Sequence, residues 1–162
     1  MRKSILILIL MALLPPVAMA APPTAPDTVA SEDGRHVFVL PIHGPVDMSA
    51  MLRFRRAFRE AEQAKPNAII IDLNTPGGGL EETQEIISWI RTQRKNCPVY
   101  AFVNPEAISA GAIISLGTSA IYMTPDSTIG DAMPIVVGRD RNGDLKVKIM
   151  SYTRGWVRGL AH

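Results

Sequence analysis

Apolar residues along this chain occur in two spacing patterns, one typical of buried strands and one typical of helices that bury a single face. Continuous or β-branched apolar runs predict strands at residues 36–42, 68–73, 98–103 and 119–123. Between these runs, the spacing of apolar residues and the turn residues predict helices over residues 47–65, 80–95 and 107–116. Strands that alternate with helices in this way predict an α/β fold with a largely parallel sheet.

Two segments refine this pattern. The run AIIIDL at residues 68–73 is almost uninterrupted, which is typical of a strand buried on both faces. Near the C-terminus, the turn dipeptide Asn142-Gly143 predicts a hairpin with strands at 134–138 and 145–149, followed by a helix over 151–161. In such a hairpin Lys146 and Lys148 would share one face, because side chains two positions apart in a strand point the same way.

The first 20 residues have the three parts of a secretory signal peptide. They contain a basic start, ten unbroken apolar residues and an Ala-Met-Ala cleavage site at 18–20. Ten apolar residues are too few to cross a bilayer, so a cleaved signal is favoured over a membrane anchor. The sequence therefore predicts export to the periplasm or another extracytoplasmic space. Residues 21–35, rich in Pro, Ala, Ser and Thr, predict a flexible linker before one folded domain at 36–162.

Composition narrows the classes of function. Hydrophobic residues make up 47% of the chain and charged residues 20%, which excludes a disordered tail, a collagen-like fibre or a highly charged nucleic-acid-binding arm. Without the first 20 residues the chain has 15 Lys and Arg against 15 Asp and Glu, so attraction to nucleic acid has no electrostatic support. The single cysteine, Cys97, excludes an intrachain disulfide. The histidines, at positions 36, 43 and 162, show no metal-ligand spacing, and we expect neither a metal nor another cofactor.

A turn with three consecutive glycines, at residues 77–79, joins the buried strand to the helix that follows it. Glycine leaves the backbone N–H groups unobstructed, so such a turn can hold an oxyanion or a phosphate. A phosphate loop would end in Lys-Ser or Lys-Thr, which this turn lacks. A tight connection without chemistry is the other interpretation.

Ser109 follows a predicted strand within a segment of small residues, so its hydroxyl is expected to point out of the sheet edge. A serine nucleophile also needs a base. A Ser-His-Asp triad is hard to assemble, because the histidines lie on or beside the first strand or at the chain end. A lysine can act instead when burial lowers its pKa, which makes Lys146 and Lys148 candidates. On spacing alone, however, an ordinary surface position on an exposed hairpin is the better interpretation of both lysines.

Three blocks of sequence, taken together, indicate a protein family more specifically than the glycine turn or Ser109 does alone. They are IDLNTPGGG at 71–79, SAGAIISLGTSAIYMTPDSTIGDAMPI at 109–135, and a Lys-Ile-x-x-Tyr pattern that begins at Lys148. In this order and at these separations, they resemble the NfeD-type membrane serine proteases. These are stomatin-operon partner proteins, within the wider ClpP and signal-peptide-peptidase class. The resemblance implies a ClpP/crotonase β-β-α superhelix whose C-terminal part is missing here.

The resemblance also implies roles for individual residues. Ser109 matches the nucleophile of the family, and Lys148 matches the general base better than Lys146 does. Gly77 and Gly78 match the glycines that present the oxyanion-hole amides, with the N–H of Ala110 as the second donor. A Ser-Lys dyad of this kind needs no histidine.

The function implied is that of an exported serine endopeptidase that cleaves apolar, membrane-proximal peptide segments. Its implied partners are a peptide or protein substrate and a stomatin-like membrane protein, and a homo-oligomer is left open. A non-catalytic assembly partner of a stomatin-like protein is the alternative. An acyl-CoA enzyme of the crotonase type is a third hypothesis, but export away from the CoA pool argues against it.

Overall fold

The computed structural model describes residues 27–30, 35–133 and 144–160. The expected signal peptide at 1–20 and the first hairpin strand at 134–138 lie outside these residues. Most of the expected linker at 21–35 lies outside them too, but a short strand occupies part of it.

Within the described residues the chain forms six strands and four helices. The strands are β1 (Asp27–Ala30), β2 (His36–His43), β3 (Ala68–Thr75), β4 (Val99–Ile108), β5 (Ala120–Met123) and β6 (Thr128–Gly130). The helices are α1 (Met48–Ala64), α2 (Leu80–Gln93), α3 (Ala110–Leu116) and α4 (Asp144–Leu160). Strand and helix alternate from β2 to β5, which confirms the α/β fold predicted from the sequence.

The strands form one sheet in the order β1-β2-β3-β4-β5, and β6 also pairs with β4. Only β1 is antiparallel to its neighbour, and all other pairs are parallel. The long strand β4 pairs with β5 along its first half and with β6 near its end. The carboxyl ends of β3 and β4 therefore lie side by side, and this edge of the sheet holds the glycine turn and Ser109.

One face of the sheet carries the core. Alternate residues of β2, β3 and β4, such as Leu40, Ile71 and Val103, are fully buried. They form a single apolar cluster with residues from all four helices. The opposite face of β3 is only half-buried, so the expectation of a strand buried on both faces was wrong. The reason is that the large apolar side chains buried by the described helices, such as Phe54, Ile87 and Ile114, belong to the cluster on the core face.

The hairpin predicted at the C-terminus was also wrong in its second strand, because residues 145–149 lie in α4. Leu145 and Val147 alternate with polar residues as in a strand, but both are exposed, so their alternation marks no buried face. The buried or half-buried residues of α4 recur at helical spacing instead: Ile149, Met150, Thr153, Trp156, Val157 and Leu160. This spacing sets a helix that extends back through the two lysines.

Two smaller differences concern boundaries. The helix expected at 107–116 begins at Ala110, because Ala107 continues β4 and pairs with Thr75 and Ile129. The linker expected at 21–35 contains β1, which is antiparallel to β2.

Candidate active site

Ser109 occupies the single residue between the end of β4 and the start of α3. Its backbone has φ 51° and ψ −108°, a conformation that costs a non-glycine residue about 1–3 kcal/mol. Two hydrogen bonds hold it there: its N–H donates to the carbonyl of Gly130 at 2.8 Å, and its carbonyl accepts from the N–H of Ile113 at 3.2 Å. The turn leaves the side chain half-buried at the carboxyl edge of the sheet.

The glycine turn contacts Ser109 directly. Gly77 has φ 105°, a conformation that L side chains rarely adopt. A β-carbon on Gly77 would lie 2.6 Å from the β-carbon of Ser109 and 3.2 Å from the nitrogen of Ala110. Only glycine therefore fits this position, both for its backbone angle and for its contact with the serine.

Hydrogen bonds within the turn decide which N–H groups remain open. The N–H of Gly77 donates to Oγ1 of Thr75 at 3.0 Å, so it is not free for a ligand. The carbonyl of Gly77 accepts from the N–H of Val46 at 2.8 Å, and the N–H of Gly79 donates to the carbonyl of Val46 at the same distance. Of the three glycine N–H groups, only that of Gly78 has no acceptor within the part of the chain that the structure describes.

A second open N–H group belongs to Ala110, the first residue of α3. A helix leaves its first N–H groups without partners in the helix, and the positive end of its dipole lies at the same place. The Ala110 nitrogen is close to Gly77, which directly precedes Gly78. The two open N–H groups thus belong to the residues that directly follow Gly77 and Ser109, which contact each other, and a pair of amides of this kind can stabilise an oxyanion.

The two candidate lysines lie on α4, and both side chains are exposed. Two positions along a helix turn through about 200°, so they point to nearly opposite sides instead of sharing a face. Lys148 lies one turn before Tyr152, whose hydroxyl accepts a hydrogen bond from the side chain of Gln84 on α2 at 3.0 Å. Lys148 is thus on the side of α4 that meets α2. No hydrogen bond or ion pair of the described residues joins Lys148 to Ser109.

The structure contains one pair of side chains that the sequence reasoning missed. Nε2 of His43 is 2.8 Å from Oδ2 of Asp72, across two neighbouring strands. The register of β2 and β3 offered a signal, because His43 pairs with Asn74, two residues beyond Asp72 on the same face. This face is the half-buried one, and the described residues show no contact between His43 and Ser109. The sequence reasoning also missed Thr75, whose hydroxyl binds the glycine turn.

The described residues contain neither a metal-binding cluster nor a membrane-spanning helix. No cluster of three or more His, Cys, Asp or Glu side chains able to hold a metal ion occurs at 27–30, 35–133 or 144–160. Among the same residues, no helix has the length and apolar content that crossing a bilayer requires.

Comparison with known sequences gives a family and named relatives. The family model described as NfeD1b, N-terminal domain, matches residues 36–157. The membrane-bound protease PH1510 of Pyrococcus horikoshii is 36% identical over 131 residues, which are 77% of this chain and 29% of that protein. The membrane protein NfeD1b of Bacillus subtilis is 34% identical over 119 residues, which are 74% of this chain and 26% of that protein. The chain therefore spans less than a third of each relative.

Comparison with solved structures gives the same fold. The 1510-N membrane-bound stomatin-specific protease has been solved as a serine-to-alanine mutant and as a lysine-to-alanine mutant in complex with a substrate peptide. Both superpose with a TM-score of 0.68 at 34% identity and cover 77% of this chain. They are covered over 62% and 58% of their own length. ClpP1 of Listeria monocytogenes, at 18% identity and a TM-score of 0.62, shares the fold over 75% of this chain and 68% of its own.

Proposed function

Because the chain belongs to the family of NfeD1b N-terminal domains, we propose that it is an exported serine endopeptidase that cleaves apolar, membrane-proximal peptide segments. One observation carries the proposal: Ser109 sits in a strained turn against Gly77, and the residues that directly follow these two, Ala110 and Gly78, have open N–H groups. Nucleophile elbows and oxyanion sites use this combination of a positive φ and adjacent amides.

In the proposed reaction, Oγ of Ser109 attacks the carbonyl carbon of the scissile peptide. The carbonyl oxygen becomes an oxyanion, which the N–H groups of Gly78 and Ala110 bind. Lys148, in its neutral form, accepts the proton from Ser109 and passes it to the leaving amine as the peptide C–N bond breaks, which leaves an acyl-enzyme. Water then attacks the ester carbonyl and gives a proton to the same lysine. The ester C–O bond breaks, the lysine returns this proton to Oγ of Ser109, and the carboxylic acid product is released. Gly77 acts as a spacer in this scheme, because its own N–H is bound to Thr75.

Support for Lys148 comes from its position and from relatives. It lies on the side of α4 that faces α2, and α2 begins directly after the glycine turn. The solved relative at 34% identity was studied as two separate mutants, one with a serine and the other with a lysine replaced by alanine. The Lys148 side chain is exposed and has no hydrogen bond to Ser109 in this structure, so the proposed reaction requires its Nζ to come within hydrogen-bond distance of the Ser109 hydroxyl before attack.

The proposed substrate and location are based on the names of the relatives and on the signal-peptide pattern. A solved relative is named a stomatin-specific protease, and curated relatives are named as membrane proteins. We therefore propose a stomatin-like protein as the substrate, cleaved on the extracytoplasmic side of the membrane. The signal-peptide pattern at residues 1–20 supports export of the chain.

Cleavage of an apolar peptide tests the proposal. The purified chain is incubated with a peptide taken from an apolar, membrane-proximal segment of a stomatin-like protein, and fragments are identified by mass spectrometry. We expect cleavage by the unmodified chain and by Ser88→Ala, a control that removes an exposed serine from α2. Ser109→Ala is expected to lose cleavage, and equal activity in Ser109→Ala and Ser88→Ala would refute the assignment.

The second candidate function is a non-catalytic assembly partner of a stomatin-like membrane protein. The observation that favours it is that no hydrogen bond or ion pair joins Lys148 to Ser109 among the described residues. In that case a stomatin-like protein binds the chain stably, no peptide is cleaved, and Ser109→Ala binds as well as the unmodified chain.

A further inference from the structure

Thr75 is the last residue of β3 and is completely buried beneath the glycine turn. Its hydroxyl oxygen accepts the N–H of Gly77 at 3.0 Å. Its methyl group lies against α3, because a β-carbon on Gly111 would stand 2.6 Å from Cγ2 of Thr75. One side chain thus contacts both segments that carry the open N–H groups, next to Gly78 on one side and next to Ala110 on the other.

The contact with Gly77 helps to set the direction of the Gly78 N–H. A trans peptide is planar, so the carbonyl of Gly77 and the N–H of Gly78 point in opposite directions. Val46 binds that carbonyl, which turns the N–H of Gly78 away from Val46. Thr75 binds the N–H on the other side of Gly77 and so limits the rotation of the turn about this residue.

The hydroxyl and the methyl group of Thr75 make different contacts, and substitutions can remove them one at a time. Serine has the hydroxyl acceptor without the methyl group, and valine has the methyl groups without the acceptor. The pairing of β3 with β4 also shifts register between Leu73 and Thr75. At such an irregularity the regular strand pairing does not by itself fix the backbone, so the contacts of the Thr75 side chain contribute to its position.

We propose that Thr75 is a positioning residue of the oxyanion site. Its hydroxyl keeps the Gly77 N–H out of the site and aligns that of Gly78, and its methyl group sets the distance to the start of α3. The proposal rests on the proposed peptidase function for its catalytic consequence, but its structural consequence is independent of catalysis.

Peptide cleavage kinetics test the catalytic consequence. Loss of one oxyanion donor lowers kcat by about 10²–10³-fold, and we expect Thr75→Val, which misaligns a donor, to lower kcat about tenfold with little change in KM. Thr118→Val is the matched control, because Thr118 is also buried and donates hydrogen bonds to the carbonyls of Ser115 and Ala120. A kcat for Thr75→Val equal to that of Thr118→Val would overturn the proposal.

Amide hydrogen exchange, followed by NMR on the whole chain, tests the structural consequence. We expect the Gly77 N–H to exchange at least about tenfold faster in Thr75→Val, because it loses its acceptor, and the Gly78 amide resonance to shift. Thr75→Ser keeps the acceptor and is expected to retain slow exchange. Unchanged exchange in Thr75→Val would overturn the proposal.

The two measurements separate the two hypotheses. If the unmodified chain cleaves no peptide, the proposed function fails, whereas the exchange rate of Gly77 still decides whether Thr75 holds the turn. If Thr75→Val does not fold, Thr75→Ser and Thr75→Ala make the same comparison, since only serine keeps an acceptor. Equal exchange rates in these two variants would count against Thr75 in the same way.

Discussion

The α-carbon of Gly77 lies so close to the side chain of Ser109 that a β-carbon on the glycine would stand 2.6 Å from the β-carbon of the serine. The two residues follow the neighbouring parallel strands β3 and β4, whose carboxyl ends meet at one edge of the sheet. Their contact brings together the glycine turn, which is the candidate oxyanion site, and the segment that carries the candidate nucleophile.

Gly77→Ala is expected to remove function and to destabilise the turn. Alanine at φ 105° is strained, and its β-carbon would overlap Ser109, so we expect a loss of about 1–3 kcal/mol in the free energy of unfolding. Chemical denaturation measures the loss. Gly155→Ala is the control, because nothing lies within 4 Å of its added β-carbon and alanine favours a helix by about 0.5–1 kcal/mol. Equal stability of the two variants would contradict the geometry of the turn.

Gly111→Ala is expected to destabilise the protein because its β-carbon would lie 2.6 Å from Cγ2 of Thr75 and 3.3 Å from Cβ of Ala107. Overpacking of this kind costs about 1–3 kcal/mol. Thr75→Ser removes the methyl group that causes the closest contact, so the double variant is expected to be more stable than the sum of the single effects predicts. A double-mutant cycle measures this coupling, and strict additivity would show that the two residues do not touch.

Lys148→Ala and Lys146→Ala are expected to differ sharply in activity. The two lysines point to nearly opposite sides of α4, and only Lys148 shares a side with Tyr152, which contacts α2. We expect Lys148→Ala to lose peptide cleavage while its circular dichroism spectrum and unfolding midpoint stay unchanged. Lys146→Ala should retain cleavage. Loss of cleavage in Lys146→Ala alone would assign the base to the other lysine.

Asp47 caps α1 and offers a test of the scaffold alone. Its Oδ1 accepts the N–H of Ala50 at 2.7 Å. Asp47→Ala removes this acceptor and is expected to cost about 0.5–2 kcal/mol of stability, whereas Asp47→Asn keeps an acceptor and should cost less. Thermal unfolding compares the two variants, and an equal loss in both would show that the cap bond does not stabilise the helix.

Much of the fold could be predicted from the sequence where a segment's pattern and its packing agree. The strand 36–42 and the helix capped by Asp47 match β2 and α1 within a residue or two, because both bury the face that their apolar spacing marks. The hairpin strand at 145–149 could not be predicted correctly, because the alternation of Leu145 and Val147 reflects exposed positions. The face of the helix that packs against the rest of the protein begins only at Ile149 and Met150 and continues through Thr153, so most of the residues at 145–149 precede it.

The site could be predicted in part for a similar reason. Glycine and serine in a strand-to-helix turn are local signals, and the parallel sheet brings both turns to one edge. Which glycine N–H remains open depends on bonds to Thr75 and Val46, and sequence spacing contains no information about these bonds. The side on which a lysine lies depends on whether its segment is a strand or a helix, and the error at 145–149 therefore carried over to Lys146 and Lys148.

The nucleophile is tested most directly by the site of covalent modification. The folded chain is treated with an alkyl fluorophosphonate, which phosphonylates activated serines, and the adduct is located by mass spectrometry of proteolytic fragments. We predict one adduct, on Ser109, formed in the unmodified chain and strongly reduced in Gly77→Ala. Modification of another serine, or no modification of Ser109 in a chain that cleaves peptide, would contradict the assignment.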